Sequence, residues 1–202
     1  MKALILAFAI LGIVVAIAAG FVYAGYYDIA ADDAHWGATA GFVASARDRS
    51  IARLSGDVGT PPALDDPALL KIGAGEYHEM CETCHLAPGM KDTAIREGLN
   101  PKPPKLAEAG EKRSPQGDFW VIKHGIKMTG MPAWGLTHED RTIWGMVAFL
   151  QKLPGLSRAD YDALTAESES EGHSHDEGDE HEHGEGAEAG HGHEDADHAH
   201  GD

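Results

Sequence analysis

Cysteine is scarce in this chain: Cys81 and Cys84 are the only two in 202 residues. That count excludes a scaffold stapled by several disulfides. Positive charge is scarce too, with 16 Lys and Arg against 33 Asp and Glu and a formal net charge of −17. A nucleic-acid-binding protein would need a basic face, so that class is set aside. The shortage is concentrated at one end. From Glu167 to Asp202 there is no Lys or Arg, while fourteen acidic residues fall there. Taking those fourteen from 33 leaves 19 acids against 16 bases elsewhere, so the middle is nearly neutral and the end is a polyanion. The same 36 residues hold almost no apolar side chain beyond alanine. With nothing to bury they cannot offset their ordering entropy, and disorder is expected over 167–202. No stretch reads as a β-strand, which leaves an all-α fold.

One long hydrophobic run is present. Ala3 to Tyr27 is 25 residues without a charge, and about 20 apolar residues cross a bilayer as a helix. Lys2 precedes the run and Asp28, Asp32 and Asp33 follow it. The positive-inside rule then puts the N-terminus in the cytoplasm and the rest of the chain outside. Tyr23, Tyr26 and Tyr27 fit an outer interfacial belt. A cleaved signal peptide is the rival, with Ala16-Ile17-Ala18 as a cleavage site, but the apolar run continues past it. Either way the body is exported.

Next, residues 32–57 read as a helix of mixed charge, with Ala38, Phe42, Ala46 and Arg49 at helical spacing. His35-Trp36 stands where Trp often marks a membrane surface. The alternative, a quinol or partner contact at that depth, has no converging residue to support it. "GTPPALDDP" is a linker. What remains is one small domain, of the size that often leans on a cofactor, metal or disulfide.

The two cysteines sit in "EYHEMCETCHLAPGM", residues 76–90. A disulfide within C-x-x-C closes a tiny loop and staples nothing distant. A structural zinc site needs about four ligands, and Cys81, Cys84 and His85 supply three at most. A thioredoxin-like dithiol expects a βαβ setting, and these flanks look helical. C-x-x-C-H is left as the attachment site of a c-type haem. The two thiols reach the two vinyl groups of one porphyrin, and His85 then lies beneath the iron. Export agrees, since bacterial haem c is attached outside the cytoplasmic membrane.

A second axial ligand is on offer in "WVIKHGIKMTGMPAWG" (120–135), a helical patch running into a Gly/Pro loop. Met128 and Met131 are both soft thioethers, and a Met opposite His raises a haem potential and suits electron transfer. Either could instead fill a core gap. His124 on the preceding helix, or His78 one turn before Cys81, would give a bis-His haem.

Other helix signals are local. Asp66-Pro67 is an N-cap followed by proline at the first helical position. Thr137 and Asp140 have capping-box spacing. Ile143, Met146, Val147 and Leu150 form an apolar stripe that ends before Pro154. The prolines of "NPKPPKLAEAG" forbid regular structure there, and that segment is expected to run in extended turns along the haem edge.

Residues from about Asp66 to Leu153 resemble a class I, cytochrome c-type, monohaem domain. "GAGEYHEMCETCH" resembles that family's opening helix, with Gly73, Tyr77 and Cys81 each four apart. "TGMPAWG" resembles its Met-ligand loop, and "LTHEDRTIWGMVAFLQKLPG" its closing helix. The resemblance implies one covalent haem c on Cys81 and Cys84. It implies axial ligands His85 and Met131, the Met before proline, rather than Met128. It implies that the first and last helices cross closely at the small residue of "GAGEY", and that Pro88 sets its carbonyl against the His85 ring N–H. The likeness covers less than half of the chain.

The resulting organisation is an anchor (1–28), a juxtamembrane helix and linker (29–65), a cytochrome c domain (66–156), a short helix (157–166) and the disordered tail (167–202). The expected role is a single-pass protein of the bacterial cytoplasmic membrane. It would carry single electrons in the periplasm between redox partner proteins, a respiratory complex or a dehydrogenase or oxidase, with no catalytic constellation of its own. The tail keeps a second class open. Its histidines come as pairs, His173/His175, His181/His183, His191/His193 and His198/His200, among carboxylates. Imidazole suits copper, nickel and zinc, so a metal-handling or metal-sensing protein is the alternative.

Overall fold

The computed structural model describes residues 1–108 and 113–172, with side chains through Ser168, and these contain helices and no strand. The all-α expectation holds for them. Helix α1 (Lys2–Tyr23) is exposed along its whole length. Its 22 residues span about 33 Å at 1.5 Å each, enough for a hydrocarbon core of about 30 Å. This helix fits a membrane anchor. The chain then turns at Gly25, whose φ of +77° favours glycine. An aromatic group gathers there: Phe21 stacks on Tyr26, Tyr27 meets Trp36 edge-on, and the Tyr27 hydroxyl lies 3.0 Å from His35 Nδ1.

Helix α2 (Gly37–Leu54) begins five residues later than the sequence suggests. Asp32 and Asp33 are spent in turns, where Asp33 Oδ1 accepts from the Ala34 N–H. Short acidic side chains favour such local bonds over helix. Helix α2 runs into a 3₁₀ turn at Ser55–Asp57, and both pack on α6 (Pro115–His124).

Helix α3 (Pro67–Glu76) starts as expected: Asp66 Oδ1 accepts from the Ala68 N–H at 2.9 Å and proline opens the first turn. The helix does not stop at Glu76. It continues through a π-turn at Tyr77–Cys81 into α4 (Glu82–His85). A short α5 (Ala94–Glu97) follows, then α6, α7 (Asp140–Lys152) and α8 (Arg158–Gly172). The capping box at Thr137 does not form. Glu139 is the N-cap of α7, with no side-chain cap, because Thr137 Oγ1 turns back to donate to the Trp134 carbonyl. Helix α8 is also longer than the 157–166 expected from sequence. Residues 167–172 belong to it, and the glutamates at 167, 169 and 171 propagate a helix readily. It is no appendage: Tyr161 is fully buried against Tyr77 and Phe149.

Helix α7 is the centre of the domain. Ile143, Met146 and Val147 face Phe119 and Ile122 of α6, while Phe149 faces Ala74, Tyr77 and Tyr161. The expected stripe is therefore buried, with Leu150 half-buried between both groups. Helices α3 and α7 cross backbone to backbone. A Cβ on Gly73 would lie 2.0 Å from the Gly145 carbonyl oxygen, and a Cβ on Gly145 would lie 3.0 Å from the Leu69 carbonyl oxygen. Gly75 differs, since its Cβ would meet only the Ser168 side chain.

Two glycines in one helix thus respond differently to a methyl group. Gly73→Ala forces the backbones apart and should lower the unfolding free energy by about 3 kcal/mol, the upper end of overpacking costs. Gly75→Ala should stay within about 1 kcal/mol of wild type, because Ser168 can rotate and alanine favours helix. Urea unfolding of both variants checks the contrast.

Candidate functional site

The π-turn sets the site. It inserts an extra residue ahead of Cys81, and such bulges concentrate at functional positions. Cys81, Cys84 and His85 then line one side of a slot of about 270 Å³. Met80, Val121, Ile122, Ile126 and Leu150 supply apolar wall, and Met131 and Trp134 line it too. Burial pushes the Cys81 thiol up to about 12, so it is a neutral thiol in this setting.

His85 is oriented by the backbone. Its Nδ1 lies 2.9 Å from the Pro104 carbonyl. A carbonyl only accepts, so Nδ1 carries the hydrogen and Nε2 keeps its lone pair for a metal. Burial holds the ring pKa below the usual value, with the Pro104 bond opposing, so the neutral form a ligand requires is favoured. Pro88 does not have this role. The proline that does lies 16 residues further on, in the extended strap 101–105 along the slot.

That strap is held from behind. Arg96 is 6% exposed, donates from Nη2 to the Pro103 carbonyl at 2.8 Å, and pairs through Nη1 with Asp92 at 2.8 Å. Lys102 beside Asp92 is the main cause that holds the Asp92 carboxyl below its ordinary range. Thr93 Oγ1 donates to the Thr83 carbonyl, between the two cysteines, at 2.6 Å.

The loop 126–131, which also lines the slot, is wound shut. Thr129 Oγ1 donates to the Ile126 carbonyl at 2.7 Å and accepts from the Met131 N–H at 3.1 Å, while the Ile126 N–H reaches the Met131 carbonyl at 3.2 Å. Gly125, at φ +65°, lets the chain pass where a Cβ would lie 2.7 Å from the Met131 carbonyl oxygen. The winding turns Met131 toward the slot and leaves Met128, at φ +60°, 94% exposed. His124 stacks near Trp120 and does not line the slot. Nor does His78, whose Nδ1 is 2.6 Å from Glu82 Oε2.

Sequence reasoning missed a brace under the thiols. Glu82, between Cys81 and Cys84, also accepts from the Tyr161 hydroxyl of α8 at 2.7 Å. The Tyr77 hydroxyl donates to the Leu86 carbonyl at 2.7 Å, fixing the residue after His85 at φ +63°. Only the resemblance of "GAGEYHEMCETCH" to the family's opening helix pointed to Tyr77, and nothing local pointed to Tyr161.

The sequence also pointed to the tail histidines as ligands for copper, nickel or zinc. His173, His175, His181, His183, His191, His193, His198 and His200 all lie outside the described residues. Among the described residues no group of three or more His, Cys, Asp or Glu could hold a metal ion.

The donor set fits a covalent haem. Two thiols and an imidazole stand on one wall of an apolar slot, and a thioether lines the same slot. Residues 68–150 match the family model described as cytochrome C oxidase, cbb3-type, subunit III. This segment is 83 of the 202 residues. No curated protein and no solved structure matches the chain. The matched segment is a monohaem c-type cytochrome domain, and such a domain carries electrons.

Phenylalanine at position 77 keeps the ring and removes the hydroxyl, leaving the Leu86 carbonyl without its donor. Tyr77→Phe should cost about 1–3 kcal/mol, read as a lower urea midpoint with an unchanged slope.

Proposed function

We propose that this chain is a membrane-tethered, periplasmic one-electron carrier whose haem iron is held between His85 and Met131. Cys81 and Cys84 form its thioethers. The observation that carries this reading is that both thiols, His85 and Met131 line a single slot, while Met128, His124 and His78 do not. When bound, the haem supplies reversible one-electron chemistry at its iron.

The chain's own residues do the rest. Pro104 holds the His85 tautomer, and the Thr129 ring holds Met131 in its turn. A Met ligand fills the sixth position and favours electron transfer over oxygen chemistry. The apolar wall excludes water and so favours the less charged ferrous state. Helix α1, with Lys2 before it and Asp28 after it, would keep the haem on the outer side of the cytoplasmic membrane. Its partners there are respiratory redox proteins, one donating and one accepting an electron. The cbb3-type description of the matched family supports a respiratory setting.

Met131→Ala tests the ligation. Wild type, matured with haem attached, should be low-spin and should show the weak near-infrared Met-to-iron band when oxidised. The variant should lose that band and bind carbon monoxide or imidazole at iron. An unchanged spectrum would assign the sixth position to another residue and sink the His85/Met131 pair.

A further inference from the structure

One wall of the slot comes from outside the cytochrome segment. Helix α2 ends at Leu54, before the matched region begins at residue 68. Yet Arg47 of α2 lines the same slot as Cys81, Cys84, His85 and Met131. Its side chain is 33% exposed, and its Nε donates to Asp48 at 2.8 Å. Arg113, just before α6, lines the slot as well. The two arginines together hold the Asp48 carboxyl below its ordinary range, Arg47 first. The other charged groups in the lining are Lys102, paired with Asp92, and Asp118.

The ligand chemistry calls for such cations. A haem carries two propionates, so it enters a largely apolar slot as a dianion. Burying carboxylates without partners is costly. Guanidinium groups meet carboxylates in bidentate geometry and stay charged at any relevant pH. We propose that Arg47 and Arg113 receive the haem propionates, making the juxtamembrane helix a wall of the haem site rather than a spacer. This rests on the covalent-haem reading above. Two consequences follow. Attached haem ties α2 to the cytochrome domain. The Arg47 cation also opposes the added positive charge of Fe(III), and so raises the reduction potential.

The test uses the full-length, haem-loaded protein in detergent, titrated spectroelectrochemically. Arg47→Gln should move the one-electron equilibrium about threefold toward Fe(III). At 59 mV per tenfold for one electron this is about 28 mV lower. Arg47→Lys should retain most of the wild-type value, and Asp48→Asn should shift the potential upward. Opposite signs at neighbouring positions separate charge from packing, because a loosened slot would lower the potential in every variant. An Arg47→Gln protein with full covalent haem and an unmoved potential overturns the proposal and leaves Arg47 as the partner of Asp48 alone. Lowered potentials in both Arg47→Gln and Asp48→Asn overturn it as well. Should Arg47→Gln fail to accumulate, the signs for Arg47→Lys and Asp48→Asn decide. Covalent haem is measured first as a pyridine haemochrome. Its absence in wild type defeats the haem reading itself, a result distinct from either outcome above.

Discussion

Gly73 against Gly145 is the contact on which the rest of the domain depends. No side chain separates α3 from α7 at that point. The backbone of α3 therefore has a fixed height over α7, and the π-turn that continues it inherits that position. Cys81, Cys84 and His85 are the end of the same helical run. Helix α7 in turn packs on α6 through Ile143, Met146 and Val147. Helix α6 leads directly into the loop bearing Met131. The thiol wall and the thioether wall are thus both registered to one helix crossing, although about 50 residues separate them in sequence.

Two further braces act beyond the crossing, one on the proline strap and one on α4. Arg96 and Asp92 press the proline strap onto His85. Tyr161 reaches from α8 to Glu82, between the two cysteines. In both, a buried or half-buried charge meets its partner. A charge of this kind is costly to leave alone, so each brace fails as a unit and not by degrees.

Features carried by local chemistry were readable in the sequence. Asp66-Pro67 opens a helix because the side-chain oxygen and the fixed proline φ both act within one turn. Cys81, Cys84 and His85 were readable as a set because C-x-x-C-H is a local spacing that points to one chemistry. Met131 was separated from Met128 by resemblance, and its place in the slot follows from Thr129, whose part in winding the loop has no sequence signature. Long-range pairings were hidden. The resemblance gave Pro88 as the His85 partner, but the carbonyl that meets Nδ1 belongs to Pro104, brought back by the Arg96 clamp. Thr137 looked like a cap until the Trp134 carbonyl competed for its hydroxyl. The resemblance implied the close crossing at "GAGEY" but not its partner: Gly145, like the pairing of Tyr161 with Glu82, is met only once α7 and α8 fold back.

The winding of the 126–131 loop has a chemical consequence for its two methionines. Thioether oxidation to the sulfoxide follows access to solvent. Met128 stands in water at 94% exposure, three residues from a Met131 that is half-buried against Trp134 and the apolar wall. A peroxide reaching this face meets Met128 first, and the oxygen it leaves there sits harmlessly in solvent. The same oxygen on Met131 would place a polar, bulkier group inside the apolar slot. Of the two thioethers, Met128 is therefore the faster to oxidise.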